Sequence, residues 1–141
     1  MNITYMENVL TPEAYRDFQR KMHWNEDPYE QISLSLNNDL YDIVALDNGE
    51  LVGMGRLIGD GAIFWYIQDV FILTEYQGKG IGSAIVKKLI DHAKKSSIPK
   101  TEISLCLMCA KGKEGFYEKL GFRCRPHEYE GPGMEMEIAI D

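Results

Sequence analysis

The sequence has no apolar run of the length that a membrane-spanning helix needs, about 20 residues. Its first residues, Met1-Asn2-Ile3-Thr4, lack the basic and apolar regions of a secretory signal. These two absences favour a cytoplasmic protein that does not interact with membranes.

Positive charge is scarce as well. The chain has 15 Lys and Arg against 22 Asp and Glu, a formal net charge of −7, and its basic residues form no stripe. Duplex nucleic acid and anionic membranes are therefore excluded as main partners, because both require a basic surface. A cationic substrate such as an amine is compatible with this balance.

Cysteine is rare, at three residues. Cys106 and Cys109 form a C-x-x-C pair, but a structural zinc site needs a second pair of ligands, and Cys124 with His127 matches only loosely. A redox dithiol has its first cysteine at a helix N-terminus, whereas Cys106 falls in a predicted strand. We expect no metal, and reduced thiols that are mostly buried.

Repeats, linkers and low-complexity segments are also missing from the 141 residues. This length suits one domain, which we expect over residues 1–141. Hydrophobic residues make up 45% of the chain, which is enough to form a globular core.

Residues 66–95 are the most informative stretch that is present. Residues 67–73 are mainly β-branched and aromatic, which is typical of a buried strand, and residues 83–95 repeat apolar side chains at helical spacing. The turn between them, residues 77–82, reads Gln-Gly-Lys-Gly-Ile-Gly. A helix that starts after such a turn presents unpaired N–H groups, and glycine admits close approach, so the segment predicts an anion site.

The spacing of the glycines distinguishes among phosphate-binding loops. Lys79 is followed by Gly80 instead of Ser or Thr, which argues against a Walker A loop. The interval between Gly80 and Gly82 is wrong for the dinucleotide fingerprint G-x-G-x-x-G. The pattern Q/R-x-x-G-x-G/A does fit, with Gln77, Gly80 and Gly82.

Together with Ile72-x-x-x-Tyr76 before the turn and the sequence FYEKLGF at residues 116–122, this pattern resembles the GNAT superfamily of acyl-CoA-dependent N-acetyltransferases. The resemblance runs from Leu40 to the end of the chain. It implies an α/β (α+β) GNAT fold, with a mixed, mostly antiparallel, twisted sheet of about six or seven strands and about four helices. The sheet is expected to splay between its fourth and fifth strands.

Turn and cap residues place the remaining elements. Thr11-Pro12 starts a first helix, Asp27 with Glu30 predicts a capping box for a second helix, and Asn48-Gly49 predicts a tight hairpin turn. The predicted strands are residues 1–9, 40–46, 51–58, 62–73 and 101–108, followed by a short helix at 111–120 and a closing hairpin of 122–126 and 134–140.

The resemblance also implies that the co-substrate acetyl-CoA lies along the strand and the turn. The residues assigned to coenzyme A are Phe71, Ile72, Leu73, Gln77, Gly78, Lys79, Gly80, Ile81, Gly82 and Ser83. Main-chain N–H groups of the turn are expected to bind the pyrophosphate, with Gln77 bracing the loop. The main chain of residues 71–73 is expected to pair with the pantetheine arm and to supply an oxyanion donor.

Two residues are assigned to catalysis. Tyr117, the tyrosine of FYEKLGF, is expected to protonate the leaving thiolate, because a phenol with a pKa of about 10 keeps its proton at neutral pH. Asp69 is expected to accept the proton of the amine, to orient the amine, or to be a buried structural acid. Gln68 stands where some sugar-amine members carry Glu, which points to a water relay. Trp24 is a weaker candidate for a substrate contact, and packing on the helices is the alternative.

The leading interpretation is acetyl transfer to a primary amine of a small cationic molecule, by direct attack in a ternary complex. Acetylation of a protein or peptide is one alternative. A catalytically silent acyl-CoA sensor is another, because Ala110 replaces an Asn that the family often uses for the donor. Residues 134–136 could finish the sheet or pair with a second copy, which leaves a homodimer open.

Overall fold

The structure is a computed structural model that describes residues 1–141 as two compact units, Met1–Leu107 and Met108–Asp141. The expected single domain over the whole chain stays a prediction. None of the helices combines the length and apolarity that crossing a membrane demands.

The first unit contains five strands and three helices, and the second contains one short helix. In chain order they are β1 (Ile3–Glu7), α1 (Pro12–Lys21), α2 (Tyr29–Asn37), β2 (Tyr41–Asp47), β3 (Glu50–Gly59), β4 (Phe64–Ile72), a 3-10 turn (Thr74–Tyr76), α3 (Ile81–Ser96), β5 (Ser104–Cys106) and α4 (Glu114–Glu118). Thr11 caps α1 as predicted, with its Oγ1 accepting from the Ala14 N–H at 3.1 Å. Asn48 and Gly49 both have positive φ, which confirms the tight turn between β2 and β3.

The strands lie in chain order across one sheet. Neighbours are antiparallel from β1 to β4, whereas β4 and β5 are parallel. The parallel pairing ends at Tyr66↔Cys106, although β4 continues to Ile72. The sheet therefore opens between the fourth and fifth strands, as predicted, and the end of β4 has a neighbouring strand on one side only.

A bulge interrupts β4 in the middle of its length. Asp69 and Val70 together oppose Gly55 of β3, because the register shifts by one residue there. The backbone of Asp69 has φ +55°, in the left-handed region that few side chains adopt. The bulge redirects the main chain just before the open end of the strand.

Helix α3 packs its apolar face against β2, β3 and β4. Ile85, Val86 and Leu89 are fully buried in this layer. Gly55 permits the close approach, because a Cβ there would lie 2.7 Å from Ile85 Cγ2. Truncating one such leucine to alanine costs about 2–5 kcal/mol, so this packing firmly fixes where α3 begins relative to β4.

The second unit corrects the prediction for the end of the chain. The predicted hairpin of 122–126 and 134–140 is wrong, since no strand forms there and the sheet has five strands. A single bridge between His127 and Glu130 closes a shorter turn instead. Arg125 pairs with Glu130 at 3.2 Å and donates to the Gly131 carbonyl oxygen at 2.7 Å. Side chains thus hold this turn where a main-chain ladder was expected.

Two local predictions are also wrong. Asp27 does not cap α2, which starts after Pro28 without a side-chain cap. Its Oδ2 accepts from Gln19 Nε2 at 2.7 Å and its N–H donates to Gln19 Oε1 at 3.0 Å, because α1 lies alongside and offers both partners. The three cysteines are free, but Cys106 and Cys124 are exposed, since β5 is too short to be covered and no strand forms after α4.

Candidate active site

The turn before α3 is braced by one side chain and shaped by two glycines. Gln77 Nε2 donates to the Ile72 carbonyl oxygen at 3.0 Å, which ties the turn to the end of β4 as expected. Gly78 and Gly80 have φ +74° and +84°, values that glycine adopts without strain. A Cβ at either position would meet no atom within 4 Å, so the space in front of the turn is open.

Helix α3 begins without a capping side chain. Its first internal bond runs from the Ala84 N–H to the Gly80 carbonyl oxygen at 3.0 Å, so the preceding N–H groups of residues 81–83 have no partner within the helix. Ile81 anchors this end with a buried side chain, whereas Ser83 is half-buried. Lys79 is exposed beside the turn, its Nζ 5.7 Å from the centroid of the Tyr76 ring. The donors, the helix dipole and the open space suit a diphosphate.

The last residues of β4 differ in the direction of their main-chain groups. The Leu73 N–H donates to the Val52 carbonyl oxygen at 2.9 Å and therefore faces β3. Because successive residues of a strand point their N–H groups to opposite sides, the N–H of Ile72 faces the open edge and that of Phe71 faces β3. Within the predicted set 71–73, Ile72 is thus the residue oriented to pair with an added strand.

Asp69 is held in the bulge by three hydrogen bonds. Its Oδ2 accepts from the Tyr15 hydroxyl at 2.9 Å and from Arg56 Nη1 at 2.8 Å. Its Oδ1 accepts from Gln68 Nε2 at 3.2 Å and keeps a lone pair. Only 9% of the residue is exposed. These contacts fix the left-handed backbone at Asp69 and leave Oδ1 able to accept one more hydrogen bond.

Arg56 of β3 is the centre of this cluster. Its buried guanidinium donates from Nε to Asp39 at 3.0 Å and from Nη1 to Asp69. Its Nη2 donates to the carbonyl oxygen and the hydroxyl of Ser35 at 3.0 and 2.9 Å. Burial raises the pKa of Asp39 although Arg56 opposes the change. The arginine thereby joins α2, β3 and β4 through one charged group.

Aromatic side chains from α1 and the loop after it pack against β4. Burial, followed by the Asp69 charge, raises the pKa of the Tyr15 phenol, so its hydroxyl is a donor at neutral pH. Phe18 stacks on Phe71 with centroids 6.2 Å apart. Trp24 meets the same ring edge-on at 4.4 Å and is still 40% exposed. Trp24 therefore contacts the strand assigned to the donor and also reaches solvent.

Tyr117 lies on α4, in the second unit. Its ring is nearly perpendicular to those of Phe116 and Phe122, with centroids 4.9 and 5.9 Å away. Burial raises the pKa of its phenol, and Cys109 raises it further. The hydroxyl thus keeps its proton at neutral pH, as a proton donor must.

Sequence reasoning missed Arg56, Tyr15 and Asp39. A signal existed for Arg56, because it is the charged residue inside the otherwise apolar run 52–58, and a buried arginine requires acidic partners. No comparable signal marks Tyr15, whose position on the apolar face of α1 is typical of a core residue.

The sequence model of the acetyltransferase (GNAT) family matches residues 3–122 of the chain. An uncharacterized N-acetyltransferase of Pyropia yezoensis is 28% identical over 112 residues, which cover 77% of this chain and 62% of the relative. GCN5-related N-acetyltransferase 2, chloroplastic, of Arabidopsis thaliana is 33% identical over 82 residues, which cover 58% and 30%. The chain thus spans less than two thirds of the length of both relatives.

A solved structure from meticillin-resistant Staphylococcus aureus, described as a protein of unknown function and probable acetyltransferase, has the same fold. It aligns with a TM-score of 0.82 at 27% identity, covering 97% of this chain and 100% of that chain.

Proposed function

Because this chain belongs to the acetyltransferase (GNAT) family, we propose that it transfers an acetyl group from acetyl-CoA to a primary amine. The observation that carries this proposal is the uncapped start of α3, where two glycines with open space in front of them adjoin the splayed end of β4. Such a site binds a diphosphate at one end and an extended chain at the other, which is the chemistry of coenzyme A.

We assign the diphosphate to the main-chain N–H groups of residues 78–83, with Lys79 as a supporting positive charge. Each contact with the helix terminus contributes about 0.3–1 kcal/mol, so several must act together. The pantetheine arm is assigned to the open edge of β4 at Ile72, beside the ring of Phe71. This arrangement directs the thioester toward the bulge at Asp69.

The transfer step forms a C–N bond between the amine and the acetyl carbonyl carbon and breaks the C–S bond. A main-chain N–H beyond the bulge donates to the carbonyl oxygen, where negative charge develops. We assign Tyr117 to protonate the leaving sulfur, on the strength of its place in FYEKLGF. The proton that nitrogen loses returns through water to the Tyr117 phenolate, which balances the step.

The amine must be neutral to attack. At pH 7 this costs about 4–5 kcal/mol for an alkylammonium whose pKa is about 10.4. We propose that Asp69 orients the amine or a water through Oδ1, while Oδ2 remains bound by Tyr15 and Arg56. In this role Asp69 and Gln68 position the acceptor, and water takes the proton.

The net charge of −7 favours a small cationic amine over an acidic acceptor. The exposed edge of Trp24 is a further surface for such a molecule, because a tryptophan ring attracts cations. The proposed place of the reaction is the cytoplasm, although one relative is named chloroplastic.

The proposal is tested by mixing the protein with acetyl-CoA and a panel of amines and following the release of free thiol. We expect release with small cationic amines, and Tyr117→Phe should lower kcat by about 100-fold with little change in KM for acetyl-CoA. Tyr129→Phe is the matched control, because Tyr129 lies in the same unit and is 84% exposed.

The outcomes separate the alternative functions. Thermal stabilisation by coenzyme A with no thiol release from any amine contradicts the enzyme and favours a silent sensor. Release with peptide amines alone contradicts the small-molecule acceptor. Equal activity of Tyr117→Phe and wild type removes Tyr117 from the mechanism.

A further inference from the structure

A cavity of about 220 Å³ lies between α1 and α2, and the donor site described above does not use it. Its walls are Tyr15, Asp27, Gln31, Ile32, Ser35 and Arg56. At about 30 Å³ per water it has room for about seven waters, which suits a short aliphatic chain with one polar end. Five of the six lining residues are polar, so the cavity selects for a polar or charged group.

The charge of the cavity favours a cation. Arg56 is its one cationic wall residue, and four hydrogen bonds already occupy that guanidinium. Two of these bonds go to carboxylates behind the wall, Asp39 and Asp69, and Asp27 adds a third carboxylate that lines the cavity itself. Three negative charges thus surround one positive charge, which attracts a cation and repels an anion.

Asp27 is prepared to accept a ligand's hydrogen bond. Gln19 holds it from two directions, through Asp27 Oδ2 at 2.7 Å and through the Asp27 N–H at 3.0 Å. The other carboxylate oxygen, Oδ1, accepts no hydrogen bond from the protein. The carboxylate is therefore oriented by the fold and still has free acceptor capacity.

The cavity adjoins the bulge of β4 through two residues. Tyr15 and Arg56 line it, and both donate to Oδ2 of Asp69. A ligand in the cavity is thus separated from Asp69 by one layer of side chains. A diamine with one nitrogen beside Asp69 Oδ1 therefore has to extend past Tyr15 and Arg56 for its second nitrogen to reach Asp27.

We propose that this cavity binds the second ammonium group of a small diamine acceptor, with Asp27 as its counter-ion. The inference rests on the proposed acetyl transfer and names the class of amine. It makes Asp27 a residue that determines specificity, with no part in the chemical step.

The test compares 1,4-diaminobutane with butylamine, which has the same carbon chain and one charge fewer. We expect wild-type protein to prefer the diamine by at least about 10-fold in kcat/KM, since a charge-assisted hydrogen bond of about 1.4 kcal/mol corresponds to that factor. Asp27→Asn should abolish most of this preference by raising KM for the diamine. Its kcat/KM for butylamine and its KM for acetyl-CoA should not change.

Glu30→Gln is the matched control, because Glu30 lies three residues after Asp27, is exposed and does not line the cavity. It removes the same charge and should keep the preference. Gln31→Glu adds a carboxylate to the wall, so it should increase the preference even if Asp27→Asn folds poorly.

If Asp27→Asn and Gln31→Glu are active and keep the wild-type ratio of kcat/KM between 1,4-diaminobutane and butylamine, the cavity does not bind the second ammonium group. The proposed acetyl transfer is unaffected by that result. Acetylation confined to amines without a second positive charge leads to the same conclusion. No thiol release with any amine overturns the proposed function, and this inference falls with it.

Discussion

Asp69 combines a left-handed backbone with a buried carboxylate bound by an arginine. The φ of +55° costs little for Asp and Asn and more for other residues with a Cβ. The hydrogen bonds from Tyr15 and Arg56 hold the side chain that this backbone presents. The shape of the backbone at the bulge and the negative charge at the proposed acceptor site therefore depend on the same residue.

Substitution of Asp69 distinguishes an orienting role from that of a proton acceptor. Asn adopts the same backbone and can turn its oxygen toward Arg56 and Tyr15. Its Nδ2 then takes the place of Oδ1 and can still orient a water by donating to it, so we expect Asp69→Asn to lower kcat by less than about 10-fold. Proton transfer by a carboxylate contributes about 10²–10⁴-fold, so a loss of that size in Asp69→Asn contradicts the orienting role.

Asp69→Ala is the companion variant. It leaves Arg56 with one carboxylate instead of two, and breaking a buried pair costs about 3–5 kcal/mol. We expect a clear fall in the midpoint of urea unfolding for Ala and a small one for Asn. Equal stability of the two variants would mean that the pair does not hold the bulge.

The sequence predicts the conformation of a residue when the cause is local and fails when the cause is a distant partner. Gln77 and the glycines after it follow a local pattern, so their conformation and bracing could be read before the fold was known. Two partners of Asp69, Tyr15 and Arg56, come from α1 and β3, at sequence separations of 54 and 13 residues. Spacing along the chain gives no access to such contacts, and only the folded sheet brings them together.

The start of α3 can be tested as an element, because the chain has a glycine matched to Gly80. Gly49 has φ +85° and Gly80 has φ +84°, and a Cβ at either meets no atom within 4 Å. Replacement of either by Ala costs about 1–2 kcal/mol of backbone strain. We expect Gly80→Ala alone to raise the Kd for coenzyme A, by about 10-fold, because its Cβ stands where the diphosphate approaches.

Calorimetric titration with coenzyme A gives the Kd of Gly80→Ala and of Gly49→Ala under the same conditions. If Gly49→Ala weakens binding as much as Gly80→Ala does, strain and not access to the N–H groups explains the loss. An unaltered Kd in Gly80→Ala would place the diphosphate elsewhere.

Elements with strong local signals were predicted well, and those that depend on pairing were not. Thr11, Asn48 and Gly49 mark an end or a turn through their own conformations, and the structure follows them. The closing hairpin was predicted from the segments 122–126 and 134–140, but a strand also needs a partner at the right register. The pairing of Arg125 with Glu130 and Gly131 closes a different turn there.

The pH dependence of unfolding involves the sheet and α3 together. His92 stacks on Tyr41, with centroids 3.8 Å apart, and burial lowers its pKa, as does Lys95, while Glu7 opposes the change. Just below the ordinary pKa of 6.5 the unfolded chain therefore binds more protons than the folded one, so stability falls as the pH drops through this window.

We expect the midpoint of urea unfolding to decrease between pH 7.5 and 5.5, and His92→Phe, which keeps the stacking, to show a smaller decrease. Burial raises the pKa of Asp39 and Asp42, which has the opposite sign and acts above their ordinary value of 3.8. Both carboxylates are present in wild type and variant. The difference between the two proteins in how the unfolding midpoint changes with pH therefore reports the contribution of His92. If the midpoint falls equally with pH in wild type and in His92→Phe, His92 is not the group responsible.

For the whole molecule, a net charge of −7 repels a polyphosphate, so the donor must be bound by local dipoles at the start of α3. An amide NMR titration tests this claim most directly, using adenosine 5′-diphosphate, which carries the diphosphate without the pantetheine arm. We predict that the N–H resonances of residues 78–83 shift most and that those of β4 respond only when coenzyme A is added. Unshifted amides at 78–83, with the largest changes elsewhere in the chain, would contradict the account.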